Sequence, residues 1–243
     1  MRPFIHHRAG VLGVVLVVVA AATLVAYARA GGAPATSQQA ASVWLDTAPP
    51  ALTGHDIAVS GGIDAQADLS GAAVKIYERE VGESVDTLVG DAPVTFNVMS
   101  GSVFHAVVPA AVRSCIVTVS WEGNADYLAS TTWMFAGVRP KLAIRVPVAT
   151  RKYTRVRITI APEQPLHRQG MTRPPFLADV QCRRHGVWTR FPAELGSMGT
   201  DGESWCVYTF YDVKPGTYVI RARFAGTNYN VASVSSITRI IVP

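Results

Sequence analysis

The stretch CIVTVSWEGNADYLAS, residues 115–130, recurs later in the chain as YVIRARFAGTNYNVAS, residues 218–233. An aromatic residue, a glycine and an Ala-Ser pair stand at the same places in both copies, at a constant offset of 103 residues (121 to 224, 123 to 226). Looser matches continue upstream, where Ala178–Arg183 repeats the pattern of Val74–Arg79 and a glycine follows each run. This ordered series indicates that the chain contains one structural unit twice.

Both copies alternate apolar and polar residues with the period of a β-strand. One side of each stretch is apolar throughout, namely Cys115, Val117, Val119 and Trp121 in the first and Tyr218, Ile220, Ala222 and Phe224 in the second. Similar short runs, separated by Gly, Pro, Asn and Asp, continue from Val43 to the end without an amphipathic helical stretch of useful length. The pattern predicts an all-β protein whose strands bury one face and expose the other.

The repeat length sets the domain organisation. Two copies of roughly 100 residues, each with several short strands, favour two β-sandwiches in tandem. The run GVRPK, residues 137–141, contains a proline that interrupts one strand before the next begins. We therefore expect one sandwich at residues 43–138 and a second at residues 139–243.

The N-terminal 30 residues predict an export leader. Val11–Ala28 is an uncharged apolar run behind Arg2 and Arg8, and its length lies on the border between a signal peptide and a membrane span. Ala28-Arg29-Ala30 fits the small-x-small pattern of a cleavage site. Residues 1–30 are thus expected to be a cleaved signal peptide or an uncleaved anchor helix, followed by a flexible linker at 31–42 and an exported chain.

The repeated stretch resembles the end of bacterial immunoglobulin-like domains. Those domains commonly close with Tyr-x-Gly-Asp-x-x-Tyr-x-x-Ser, and residues 121–130 (WEGNADYLAS) are similar to that pattern. Residues 212–218 (DVKPGTY) resemble the Pro-Gly-x-Tyr approach to the penultimate strand of such sandwiches. The resemblance covers about 200 residues in two halves. It implies an exported, non-catalytic module that serves as a spacer or an adhesion unit.

Three cysteines in an exported chain suggest one disulfide and one spare thiol. Cys182 and Cys206 both fall in the second copy, so we predict a disulfide between them. Cys115 takes the inward position that Tyr218 takes in the second copy, and we expect a buried thiol there. A zinc site built from Cys182, His185 and Cys206 is the alternative, although nothing in the sequence marks a fourth ligand.

The sequence carries no catalytic signature. Gly-x-Ser-x-Gly, glycine-rich phosphate loops and His-Glu-x-x-His are all absent from it. Glu78 and Glu80 share one face of a strand, but Arg79 is their only distinctive neighbour, so a solvated edge explains them better than acid–base catalysis. We expect a protein without enzymatic activity, metal or cofactor. An accessory hydrolytic enzyme with an unrecognised site is the alternative.

Charge is divided unevenly between the two copies. Residues 43–138 contain three basic and eleven acidic side chains, a net −8, whereas residues 139–243 contain sixteen basic and six acidic ones, a net +10. Such an asymmetry indicates that the second copy attracts anionic partners. Arginines at outward strand positions or near the turn at Gly186 are the candidate anion-binding residues: Arg155, Arg157, Arg183, Arg184, Arg190, Arg221 and Arg223.

The expected partner is an anionic envelope polymer or anionic lipid headgroups. A head-to-tail contact with the acidic copy and a solvated basic surface without a specific partner are alternatives. Nucleic acid is not expected outside the cell, and aromatic residues are sparse among the arginines. The sequence as a whole predicts an exported, non-enzymatic protein of the bacterial cell envelope that spaces, presents or binds. A membrane-anchored assembly subunit, with a protein partner, is a further alternative.

Overall fold

Strands and loops account for all the residues that the computed structural model describes, 37–164 and 178–243, which confirms the all-β class. Residues 37–243 belong to one unit. Within the described ranges, no helix is long and apolar enough to cross a membrane. The predicted signal or anchor at residues 1–30 lies outside the described residues.

The first half of this unit forms one curled sheet. Its strands run in the order β1-β3-β6-β5-β4-β7-β8. The long β5 pairs with β4 through its first half and with β6 through its second half, so the sheet folds over on itself. The backbone N–H of Val43 donates to Ser130 Oγ at 3.1 Å, which links the two end strands, β1 and β8. The strand bounds are β1 (Ser42–Leu45), β2 (Ala51–Leu52), β3 (His55–Asp64), β4 (Ala73–Glu80), β5 (Thr87–Asn97), β6 (Gly101–Ala111), β7 (Cys115–Trp121) and β8 (Ser130–Ala136).

The second half places two sheets around one core. A four-stranded sheet has the order β10-β11-β15-β14, and a five-stranded sheet has the order β13-β12-β16-β17 with β18 also paired to β16. The short strand β9 pairs in parallel with β2 of the first half. The strand bounds are β9 (Val138–Arg139), β10 (Lys141–Ala149), β11 (Tyr153–Ala161), β12 (Ala178–Arg184), β13 (Val187–Arg190), β14 (Glu194–Thr200), β15 (Ser204–Tyr211), β16 (Gly216–Phe224), β17 (Ser233–Val234) and β18 (Thr238–Val242).

Buried apolar side chains form two separate clusters, one per half. The first extends from Val43 to Val138 and the second from Leu142 to Val242. The alternation expected from the sequence is confirmed at the centre of both clusters. Side chains exposed by 3% or less include Cys115, Val117, Val119 and Trp121 in the first half and Val156, Ile158, Ile160, Ile220, Ala222 and Phe224 in the second.

The repeated stretch makes the same local structure in both halves. Gly123 has φ +78° and Gly226 has φ +98°, a left-handed conformation that favours glycine. Beyond each glycine, the loop binds the chain that enters the same half: the N–H of Leu128 donates to the carbonyl of Gln39, and the N–H of Val231 donates to that of Val138. Leu128 and Val231 stand at the same 103-residue offset as the glycines (128 to 231).

The predicted disulfide between Cys182 and Cys206 is wrong for this structure, in which both are buried free thiols. Cys182 lies on β12 and Cys206 on β15 of the opposite sheet, where the backbone of Ala178 hydrogen-bonds the Cys206 thiol. Ala178 precedes Cys182 by four residues on the same strand, a separation of about 13 Å. A disulfide requires Cα atoms within about 7 Å, so the two cysteines lie at different levels of the core. Cys115 is buried, as expected.

A buried polar cluster joins the two halves. Asn230 is 1% exposed, and its amide nitrogen donates to the carbonyls of Val112 and Val138 at 3.4 and 3.2 Å. Its Oδ1 accepts from Gln164 Nε2 at 2.9 Å, and Gln164 is equally buried. One residue earlier, the carbonyl of Tyr229 accepts from the Ser114 N–H at 2.7 Å. Since the amide group of Asn230 has partners on both donor and acceptor sides, the cluster fixes the second half against the first.

Gly123→Ala is expected to lower the free energy of unfolding by more than Gly71→Ala. Both glycines have positive φ, but a Cβ at Gly123 would lie 2.6 Å from the Tyr127 carbonyl oxygen, whereas a Cβ at Gly71 meets nothing within 4 Å. The backbone penalty alone is about 1–2 kcal/mol and applies to both variants. Urea unfolding of both variants measures the difference, and equal losses would contradict the tight loop.

Asn230→Ala is expected to lower the free energy of unfolding by about 2 kcal/mol or more, because it removes three buried side-chain hydrogen bonds. The control is Gln66→Ala, which removes an exposed amide from the first half. Denaturant unfolding followed by tryptophan fluorescence measures both. A loss no larger than that of the control would show that Asn230 does not hold the junction.

Candidate anion-binding site

The outer side of the four-stranded sheet carries a basic face, defined here as Lys141, Arg145, Arg155 and Arg157. The first two come from β10 and the last two from β11, at positions that alternate with buried core residues. Within the described parts of the chain, no ion pair joins any of the four to a carboxylate. Their charges are therefore available to an external anion.

Arg145 and Arg157 are directly opposite each other in the antiparallel pairing of β10 with β11. Directly opposed side chains have Cβ atoms about 5 Å apart, and like charges in that arrangement destabilise a sheet. A bound anion between the two guanidinium groups would remove this repulsion, since each can donate to phosphate, sulfate or carboxylate oxygens. This pair is the central element of the candidate site.

A cavity of about 410 Å³ lies over the pair. Its size is in the range of small-molecule sites, which are about 300–1,000 Å³. Three basic side chains and one carboxylate line it, with small neutral residues between them. The lining residues are Lys141, Ala143, Arg145, Arg157, Thr159, Ala161 and Glu203. The cavity therefore has an excess of positive charge and room for an anionic group.

Aromatic rings hold the two β11 arginines in place. The guanidinium carbon of Arg157 lies 4.9 Å from the ring centroid of Trp205 on β15, and that of Arg155 lies 5.4 Å from the ring centroid of Tyr153. Trp205 in turn lies over Gly199, where an added Cβ would come within 2.8 Å of the indole. Such cation–π contacts keep the guanidinium groups over the sheet without neutralising their charge.

The other five predicted arginines lie away from this face, on strands of the five-stranded sheet. Arg190 pairs with Asp179 at 3.1 Å, and Arg221 donates to Gln181 Oε1 at 2.9 Å while it stacks over Trp188 at 4.2 Å. Arg223 stands opposite Asp179 in the register, and Arg183 and Arg184 are exposed at the end of β12. The seven arginines thus do not form one site, and several on this second sheet already have partners.

Sequence reasoning missed Lys141 and Arg145. The signal was present in the run KLAIRV, residues 141–146, where Lys141, Ala143 and Arg145 alternate with apolar residues. That run begins directly after the proline at the repeat boundary, and only the β10–β11 register shows that Arg145 meets Arg157.

In the first half, the half-buried carboxyl of Glu78 lies beside the buried thiol of Cys115, so this edge of the strand is not fully solvated. Glu78 and Cys115 are hydrogen-bonded to each other, and burial raises the pKa of both groups, that of the thiol to about 12. Burial also raises the pKa of the Cys206 thiol, to about 11. Both thiols are therefore protonated at neutral pH and are poor nucleophiles. Glu80 forms an ion pair with Arg113, in which Glu80 Oε2 lies 3.8 Å from Arg113 Nη1.

Cys182, His185 and Cys206, the alternative zinc ligands, do not come together among the described residues. Across residues 37–164 and 178–243, no group of three or more His, Cys, Asp or Glu side chains could hold a metal ion. The Cys206 thiol hydrogen-bonds the backbone of Ala178 at the start of β12, whereas Cys182 and the turn at His185 lie towards the other end of that strand.

No protein-family model matches the chain, and no curated protein matches it significantly. The geometry of the site therefore carries the functional argument alone.

Glu78→Gln is expected to stabilise the protein more at about pH 7 than at about pH 4. A carboxyl whose pKa is raised by folding favours the folded state below its unfolded pKa and loses that contribution as pH rises through the folded pKa. Glutamine cannot ionise, so the variant does not lose stability as the pH rises through the folded pKa of Glu78. Urea unfolding of variant and wild type at both pH values measures the difference. The control is Glu83→Gln, which removes an exposed carboxylate. The same change at both pH values for Glu78→Gln would contradict a raised pKa of the Glu78 carboxyl.

Proposed function

We propose that this chain is an exported, non-enzymatic protein of the bacterial cell envelope, whose second half binds an anionic polymer through the basic face. The opposed pair Arg145 and Arg157 is the observation that carries the proposal. Repulsion between them gives the free protein a cost that an anion removes, and no carboxylate of the described residues forms an ion pair with either.

The strand layout supports an assignment of both halves to immunoglobulin-like sandwiches. In the second half, β10-β11-β15-β14 faces β12-β16-β18, with β13 at the edge. Constant-type immunoglobulin domains have four strands facing three in a corresponding order. The first half has the same succession, except that its long β5 takes the places of both β13 and β14. Sandwiches of this type at the cell surface are binding or spacing modules, which agrees with the role proposed.

The ligand class follows from charge and shape. Residues 139–243 carry a net +10, and the basic face extends over neighbouring strands of an open sheet. A chain with repeated anionic groups can occupy the cavity with one group and meet Arg155 with the next. Export, which the N-terminal leader predicts, brings this face to phosphate-bearing polymers and lipid headgroups. We expect a polymer as the ligand, because the face lies on an open sheet and its four residues stand on two neighbouring strands.

A second role, as a rigid spacer, is favoured by the junction between the halves. The amide nitrogen of Asn230 donates to the Val112 carbonyl across it, the Ser114 N–H donates to the Tyr229 carbonyl, and β2 pairs with β9. A tandem joined in this way keeps the distance between its two ends fixed. This role is compatible with the binding role and does not depend on it.

The test is binding of the full chain to immobilised polyphosphate as a function of salt. Arg145→Ala/Arg157→Ala is expected to weaken binding and to make the dependence of log K on log salt shallower by about 1.5, as for two lost phosphate contacts. All four arginines of the test and its control are exposed, so none of the substitutions opens a core. The control, Arg183→Ala/Arg184→Ala, removes the same charge from the second sheet and is expected to change the slope by less than half as much.

Equal slopes for the two double variants would show that the attraction is a property of overall charge, and would overturn the proposed site. Vesicles of anionic phospholipid, tested beside soluble polyphosphate, separate the two sources of the anion. Competition by polyphosphate for bound vesicles supports a shared site. Vesicle binding that Arg145→Ala/Arg157→Ala weakens but that polyphosphate does not compete for contradicts a polymer site, whereas binding through the apolar run Val11–Ala28 is unchanged by this double variant.

A further inference from the structure

A second, uncharged surface lies on the first half of the molecule. It is called the aromatic face here and consists of Tyr77, Leu88, Ile116, Thr118, Trp133 and Phe135. Trp133 is 67% exposed, Phe135 50% and Leu88 53%. Single exposed apolar residues are ordinary, but a contiguous group with two large aromatic side chains marks an interaction site.

The strand register arranges these residues in rows across the sheet. Trp133 stands opposite Thr118, Thr118 opposite Tyr77, and Tyr77 opposite Leu88, so one row crosses four strands. Three strand spacings make that row about 14 Å long. Phe135 and Ile116 begin the adjacent row. The result is an elongated apolar strip on the surface of a sheet, without a deep pocket beneath it.

The cations beside this strip form ion pairs with carboxylates. Lys75 forms an ion pair with Glu122, and Arg79 forms one with Asp86 at 3.2 Å. The half as a whole carries a net −8. A polyanion would be repelled by this half, and the paired cations offer little to an acidic ligand. The strip itself contains no charged side chain, so these surroundings favour an uncharged partner over an acidic one.

Hydroxyl groups lie along one side of the strip. Ser120 Oγ and Thr131 Oγ1 are 3.0 Å apart on the row next to Trp133, and Thr118 lies within the strip itself. Hydroxyls can donate and accept hydrogen bonds at the same time. Apolar rings beside hydroxyl groups match a molecule that has apolar C–H faces and polar edges.

We propose that the aromatic face binds an uncharged glycan chain. Each sugar ring places its C–H face on Trp133, Tyr77 or Phe135 and directs its hydroxyls to Thr118, Ser120, Thr131 and the ion-paired side chains. An extended polysaccharide fits an elongated strip on an open sheet, where a compact ligand would find no enclosure. The proposal rests on residues of the first half alone and is independent of anion binding by the second.

The experiment measures binding of the full chain to soluble neutral polysaccharides, namely dextran, mannan and hydroxyethyl cellulose, by affinity electrophoresis and tryptophan fluorescence. Wild type is expected to be retarded in at least one of them. Trp133→Ala is expected to weaken that retardation by roughly tenfold or more, the size of effect seen for central tryptophans at interfaces. Trp133→Phe keeps a ring on the strip and is expected to restore most of the binding.

Met99→Ala is the matched control, because Met99 is a 92% exposed apolar side chain on the same half that lies outside the aromatic face. It is expected to behave as wild type, and unchanged urea unfolding of all three variants shows that the fold is intact. Absence of retardation in all three polysaccharides would overturn the proposal. So would equal binding by Trp133→Ala and wild type, or concentration-dependent self-association that Trp133→Ala abolishes, which would assign the strip to a second copy of this chain.

Discussion

Burial of every second side chain in two cores is the constraint on which the remaining structure depends. On β11, Val156, Ile158 and Ile160 are fully buried while Arg155 and Arg157 point to solvent. Burying one such aliphatic side chain contributes about 1.5–3 kcal/mol, whereas like charges opposite each other on a sheet cost roughly 0.2–1 kcal/mol. Burial of the core side chains of β10 and β11 therefore contributes more free energy than the repulsion between Arg145 and Arg157 costs. The outer faces are free to be selected for binding because the inner faces determine the fold.

The same logic explains why the junction is polar. The loop that repeats the 115–130 stretch ends its sandwich, and in the second half it also meets the first. Backbone carbonyls at Val112 and Val138 are exposed to this contact and need donors, which Asn230 supplies. An apolar side chain at that position would remove both of these hydrogen bonds, each worth about 0.5–1.5 kcal/mol, and would leave the carbonyls with the Thr53 hydroxyl and the Val231 N–H as donors. Because hydrogen bonds are directional, they also restrict the orientation of the second half relative to the first more than apolar packing alone would.

Local pattern predicted the strands and their inner faces, because alternation in runs such as 115–121 and 153–160 directly reports burial. The repeat predicted the equivalent loops at Gly123 and Gly226. What failed depended on contacts between distant strands. The Cys182–Cys206 pairing required both residues at one level of the core, and the sequence does not report how far β12 is offset from β15. Grouping seven arginines by outward position likewise ignored which sheet each belonged to, and it left out Lys141 and Arg145, whose meaning comes from the β10–β11 register.

The charge asymmetry between the halves takes on a different meaning once the surfaces are known. In the second half, part of the excess charge lies on the basic face, where Arg145 and Arg157 are opposed in the register and neither forms an ion pair with a carboxylate of the described residues. In the first half the cations beside the aromatic face are used in ion pairs with Glu122 and Asp86, so the net −8 repels anions from a surface that is itself uncharged. With the two proposed sites, one molecule would hold an anionic and a neutral polymer at once, and the net −8 would keep the anionic one off the first half. The polar junction would then set the distance between the two bound chains.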